Sequence, residues 1–105
     1  MSFADALWHA IEEKGNPCVV GLDPHLALLP REFAAAHDPR ATRAEKARAV
    51  EEFLNAIVDL VAEHVPAVKP QSAFFEVLGP EGVAVWERVI ARAHRLGLLV
   101  IGDVK

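Results

Sequence analysis

A chain of 105 residues with 52% hydrophobic and 25% charged side chains has the profile of a folded globular protein, not of a disordered one. Its formal net charge of -4 gives no general attraction to nucleic acid or to an anionic membrane, so neither is expected as a partner, and an anionic ligand would need a local basic site. A lone cysteine, Cys18, excludes an internal disulfide, and no apolar run is long enough to span a bilayer or shaped as a signal peptide, so a cytoplasmic protein is the expectation.

Ser2, with Asp5 three residues on, caps a predicted helix in which Phe3, Ala6, Leu7, Ala10 and Ile11 share one stripe until Gly15 stops it. It reads as a short lid or base helix. After the turn Gly15-Asn16-Pro17 the run Cys18 to Leu22 has strand character, with Cys18 expected as a buried core thiol. Asp23-Pro24 stands where that strand gives way to its loop. The proline-punctuated stretch from Pro24 to Arg40 carries Leu26, Leu28, Leu29 and Phe33, enough apolar surface to pack down as a long ordered loop with a short helical turn.

Thr42 followed by Glu45 makes a capping box, and the helix it opens sets Ala47, Val50, Phe53, Leu54, Ile57, Val58 and Val61 at helical spacing to about His64. Pro66 breaks it, and Ala67-Val68-Lys69-Pro70-Gln71 is a short second strand with Lys69 near its end. Ser72 to Leu78 is a loop or brief helical turn whose Phe74 and Phe75 are expected to fill the core. A third amphipathic helix starts near Pro80 and presents Val83, Trp86, Val89, Ile90 and Ala93 before Gly97 ends it. The final run, Leu98 to Lys105, reads as a buried parallel strand that delivers two ionisable groups at its carboxyl end.

The order of helices and strands, with crossovers long enough for parallel pairing, predicts an α/β fold of about three parallel strands with flanking helices. Such a sheet covered on one side leaves its other face bare and both edges unpaired, which wants more chain. Side chains alternate along a strand, so Asp103 and Lys105 share a face, roughly 6.5 to 7 Å apart. In parallel α/β folds ligands bind at the carboxyl ends of the strands, and there Asp23, Lys69, Asp103 and Lys105 would converge. Neighbouring strands lie about 4.8 Å apart, so Lys69 and Lys105 would flank Asp103. A lysine among carboxylates keeps its proton, which suits Lys105 to giving one. Each residue also has a plainer reading: a structural ion pair or a solvated end for Asp103 and Lys105, a solvated strand end for Lys69, an Asp-Pro turn for Asp23.

Three blocks, Gly21-Leu22-Asp23-Pro24-His25, Val68-Lys69-Pro70-Gln71-Ser72-Ala73-Phe74-Phe75-Glu76 and Asp103-Val104-Lys105, in this order and spacing, resemble the amino-terminal part of the orotidine 5′-phosphate decarboxylase family, in its bacterial Lys-Pro-Gln branch. The resemblance covers nearly the whole chain and implies the amino-terminal part of a (β/α)8 TIM barrel, an architecture of roughly 250 residues, so that residues 1–105 would be a partial barrel domain ending after the third strand. It implies decarboxylation of orotidine 5′-phosphate to uridine 5′-phosphate without metal or organic cofactor. Asp103 would lie against the departing carboxylate, Lys105 would protonate the carbanion, Lys69 would orient Asp103 and reach the ribose hydroxyls, and Asp23 would bind the ribose. The family motif runs on to a second aspartate, Asp-x-Lys-x-x-Asp, contributed across a dimer interface. That residue, and the later strands with the pyrimidine contacts and the phosphate-binding arginine, fall beyond Lys105. The 105 residues alone are therefore expected to lack useful activity, and the completed protein to be a homodimer.

Two other readings stay open from the residues: another phosphosugar-binding barrel enzyme of the same superfamily, such as a metal-dependent aldolase or decarboxylase, and a non-catalytic interaction piece whose bare sheet face is covered by a partner. His9, His25, His37, His64 and His94 are scattered without a paired ligand spacing, so no metal site is expected.

Overall fold

The structure is a computed structural model that describes residues 1–104; Lys105, the expected proton donor, lies outside the described residues. Helix α1 spans Phe3–Lys14, strand β1 Val19–Leu22, helix α2 Arg43–Val61, strand β2 Ala67–Pro70, the short helix α3 Ala73–Glu76, helix α4 Gly79–Arg95 and strand β3 Leu99–Val100. Two 3-10 turns, Leu26–Leu28 and Ala34–His37, punctuate the long loop after β1.

Local chemistry sets these boundaries. Ser2 and Asp5 close a capping box on α1, and Gly15 ends it in the left-handed region at φ 76°, where a side chain would be strained. Thr42 and Glu45 close a second box on α2: the Thr42 hydroxyl accepts from the Glu45 amide at 3.1 Å, and the Glu45 carboxylate accepts from the Thr42 amide at 3.0 Å. The strands form one parallel sheet in the order β1-β2-β3. In register, Val20 faces Val68 and Leu22 faces Pro70, while Ala67 faces Leu99.

Helices α2 and α4 cover one face of this sheet. Leu54 and Val58 of α2, Val85 and Val89 of α4, and Leu22 and Val68 of the strands are buried together. Full burial of side chains of this kind is worth roughly 1.5–3 kcal/mol each. Helix α3 packs closely on α4 because position 82 is glycine: a Cβ on Gly82 would run into the Phe75 carbonyl oxygen. Helix α1 lies at the amino end of the strands, where Lys14 Nζ donates to the Ala62 carbonyl and Asn16 Nδ2 to the His64 carbonyl, each at 2.7 Å. It is therefore a base helix, not a lid. It buries no residue completely, and Phe3 is exposed despite its place in the stripe.

Several expectations need correction. Cys18 is exposed, and so is Val19; they enter a strand that stands at the edge of the sheet among the described residues, and the Cys18 amide is held in the preceding turn by Asn16 Oδ1. Regular β3 stops at Val100 instead of running to the end of the chain. Pairing persists beyond it, since the Ile101 and Asp103 amides donate to the Val68 and Pro70 carbonyls, and Gln71 and Asp103 form a parallel bridge in unbroken register. Leu28 and Val83 point outward, whereas Leu29, Val85 and Phe75 enter the core. Phe74 is only half-buried and takes the His25 ring edge-on, with centroids 4.2 Å apart.

Candidate active site

The carboxyl ends of all three strands meet at one rim. Along β2, Val68 and Pro70 are buried beneath the helices while Lys69 is exposed, so Lys69 and Gln71 rise from the opposite, uncovered face. The registers put Gly21 beside Lys69 and Gln71 beside Asp103, and the Gln71 amide donates to the Leu22 carbonyl, so Asp23 follows β1 directly onto this rim. The Asp23 carboxylate bends over Gly21, with Oδ2 3.7 Å from where a Cβ on that glycine would sit. It thereby occupies the face that carries Lys69.

Asp103 is the best-anchored of these groups. Its amide donates to the Pro70 carbonyl at 3.1 Å, and its own carbonyl accepts from the Ser72 amide at 2.9 Å. Its carboxylate faces Lys69, with Nζ to Oδ2 at 4.0 Å, and the same Oδ2 accepts from Gln71 Nε2 at 3.2 Å. The Lys69 side chain is 46% exposed and that of Asp103 24%, so the pair is partly open to solvent. Asp23, Lys69 and Asp103 thus stand at one rim on the same face of the sheet. The placement of Lys105 relative to them falls outside the described residues.

Gln71 received no role from the sequence. The signal that could have found it is parity: two residues beyond Lys69 on one strand means the same face, and the motif already held the residue. His25 and Phe74 at the same rim were likewise given no ligand role, and their ring contact depends on how the loop after β1 folds back. Among the described residues no three His, Cys, Asp or Glu side chains group as a metal ion would need, and no helix is long and apolar enough to cross a membrane.

Consecutive parallel strands, helices packed on one face and ionisable side chains gathered at the carboxyl rim of the other define the amino-terminal part of a (β/α)8 barrel. Comparison with known proteins agrees. The chain is 43% identical over 105 residues to an orotidine 5′-phosphate decarboxylase of Rhodopirellula baltica, covering 100% of this chain and 34% of that protein. It is 42% identical over 103 residues to one of a Nocardioides species, covering 98% of this chain and 34% of the relative. Among solved structures, a chain from Streptomyces avermitilis assigned as an orotidine 5′-phosphate decarboxylase superposes with a TM-score of 0.75 at 36% identity, over 95% of this chain and 32% of its own. A Toxoplasma gondii structure assigned as an orotidine monophosphate decarboxylase gives 0.76 at 32% identity, over 96% and 30%. No protein-family model matches the chain. Over its whole length the chain is related to the orotidine 5′-phosphate decarboxylases, and it spans about one third of the length of the curated relatives it matches.

Proposed function

We propose that this chain forms the amino-terminal part of an orotidine 5′-phosphate decarboxylase, a carboxy-lyase of pyrimidine biosynthesis that converts orotidine 5′-phosphate to uridine 5′-phosphate. The observation that carries the reading is the convergence of Asp23, Lys69 and Asp103 on the uncovered face at one rim, with Lys69 and Asp103 in ionic contact. Domain completion by further strands is supported by the two sheet edges. Beside β1 a groove is lined by Val20, Gly21, Leu22, Asp23, Phe53, Leu54 and Ile57, and beyond β3 a second one by Ser72, Phe75, Glu76, Val83, Trp86 and Val104. The buried Ser72 hydroxyl lines that second groove and has no hydrogen-bond partner among the described residues.

In this reading the bond between the pyrimidine ring and its carboxylate breaks, its electron pair stays on the ring carbon, carbon dioxide leaves, and the Lys105 ammonium delivers the proton. The carbanion is localised with little resonance relief, so an ammonium fixed close to it stabilises the transition state more than the ground state. Asp103 sits against the departing carboxylate, and the repulsion between the two is relieved as carbon dioxide departs. Lys69 orients Asp103 and, with Asp23, binds the ribose hydroxyls. The completed barrel acts as a cytoplasmic homodimer in which the second aspartate of the motif comes from the partner subunit.

The test is turnover by the completed barrel. Incubation with orotidine 5′-phosphate should give uridine 5′-phosphate and carbon dioxide, and Lys105→Ala should abolish this while a uridine 5′-phosphate analogue still raises the melting temperature. A folded protein that leaves orotidine 5′-phosphate untouched, or that instead turns over a sugar phosphate only with added metal, would overturn the proposal.

A further inference from the structure

We propose that Gln71 is a positioning residue that fixes the Asp103 carboxylate while leaving its negative charge intact, so that Lys69 can be spent on the substrate. The inference rests on the function proposed above. Gln71 is mounted rigidly: its amide donates to Leu22 on one neighbouring strand, and it bridges Asp103 on the other. From there its side-chain amide donates to Asp103 Oδ2 at 3.2 Å, within hydrogen-bond range, whereas Lys69 Nζ stands 4.0 Å from the same oxygen, beyond it.

The chemical types divide the work. A carboxamide donates a hydrogen bond but carries no charge and does not titrate near neutral pH, so it restrains Asp103 without neutralising it. A cation in its place would cancel the charge that the substrate carboxylate is meant to meet. A shorter or apolar residue would remove this restraint and shift load onto Lys69, a long and half-exposed side chain whose ammonium would then be drawn away from a ligand hydroxyl. Asp103 keeps its main-chain anchors in every case, so the loss is one of side-chain aim and not of fold.

Steady-state kinetics of the completed barrel on orotidine 5′-phosphate test this with Gln71→Ala and Gln71→Glu. Gln71→Ala should lower kcat by about 10- to 100-fold, the scale expected from an ångström of misplacement, with KM and the melting temperature close to those of the parent. Gln71→Glu should be poorer still at neutral pH, where two carboxylates repel. Its kcat should climb as the pH falls and the new carboxyl, its protonated form favoured by Asp103, becomes a donor. The parent should show no such climb. A parental kcat in Gln71→Ala with an active parent overturns this inference alone. So does a fall in kcat matched by loss of stability, with no acid recovery in Gln71→Glu. A parent without turnover removes the function and this inference together.

Discussion

Two sets of charges in the molecule are built on different plans. Across the helical layer Arg88 grips Glu51 with Nε to Oε2 at 2.7 Å and Nη2 to Oε1 at 3.0 Å, and Arg92 grips Asp59 with both of its bonds at 2.8 Å. Each is a two-pronged match of planar fork to carboxylate, which satisfies both partners. Those hydrogen bonds pull Asp59 below the usual carboxylate range and push Arg88 and Arg92 up. At the rim a lysine faces Asp103 across 4.0 Å and a neutral amide makes the close bond. Charges that clip two helices meet in close forks, whereas Lys69 and Asp103 at the rim stand farther apart, with a neutral amide making the shorter contact.

The largest effect expected from breaking this contrast is on turnover. In the completed barrel Lys69→Ala should cost about 10²–10³-fold in kcat, the scale of removing one preorganised charge donor, while the melting temperature stays close to parental because the side chain is half in solvent. A loss of stability equal to that of a core variant, with kcat retained, would place Lys69 among the structural charges. Next in size is the seam beneath the helical ion pairs. Leu54 is 2% exposed and packs with Val58, Val85 and Val89. Leu54→Ala should therefore destabilise by about 2–5 kcal/mol in denaturant unfolding, leaving KM for orotidine 5′-phosphate unchanged at temperatures where the protein is folded. The apolar contact, not the forked ion pairs above it, is what holds α2 to α4.

How much of this could be read from residues depended on how local the cause was. Capping is local, so Ser2 with Asp5 and Thr42 with Glu45 announced two helix starts that the structure reproduces. Face alternation is nearly as local, and in β2 it sets exposed Lys69 between buried Val68 and Pro70. Burial is not local. Cys18 belongs to an apolar run yet is exposed, because among the described residues β1 pairs on one side only, and its own sequence does not say how its other side is covered. Leu28 and Leu29 are adjacent leucines in one loop, and which of them turns inward is decided by the 3-10 turn between Leu26 and Leu28. The end of β3 failed for a related reason: the strand loses its regular form at Ile101 while its hydrogen bonds to β2 continue, a distinction of backbone geometry that an apolar pattern does not encode. The three charged candidates at the rim could be named from the sequence because a motif carried them. Parity could have put Gln71 on the face of Lys69, but its contact with Asp103 depends on the register between β2 and the last strand, which the structure supplies.

The smallest effect sharpens the comparison most, because it isolates a saturated pair. Asp59 and Arg92 are both well exposed, and exposed pairs contribute little after screening and side-chain ordering. Asp59→Asn should thus lower the melting temperature of the completed barrel by about 2 °C at most near neutral pH. The sign of its pH dependence follows from the direction of the shift. The folded-state carboxyl of Asp59 titrates below its unfolded value, chiefly through the hydrogen bonds from Arg92. Its stabilisation is therefore complete above the unfolded value and is lost as the pH falls through the folded one. The gap between parent and Asp59→Asn should stay level around neutrality, narrow in the acid range below ordinary carboxylate values, and close once both states are protonated. Added salt should narrow it as well. The Leu54→Ala gap, being apolar, should show neither trend. A gap at Asp59 that persisted in acid would mean that the asparagine disturbs packing between α2 and α4, and that the forked pairs hold the helices by fit and not by charge.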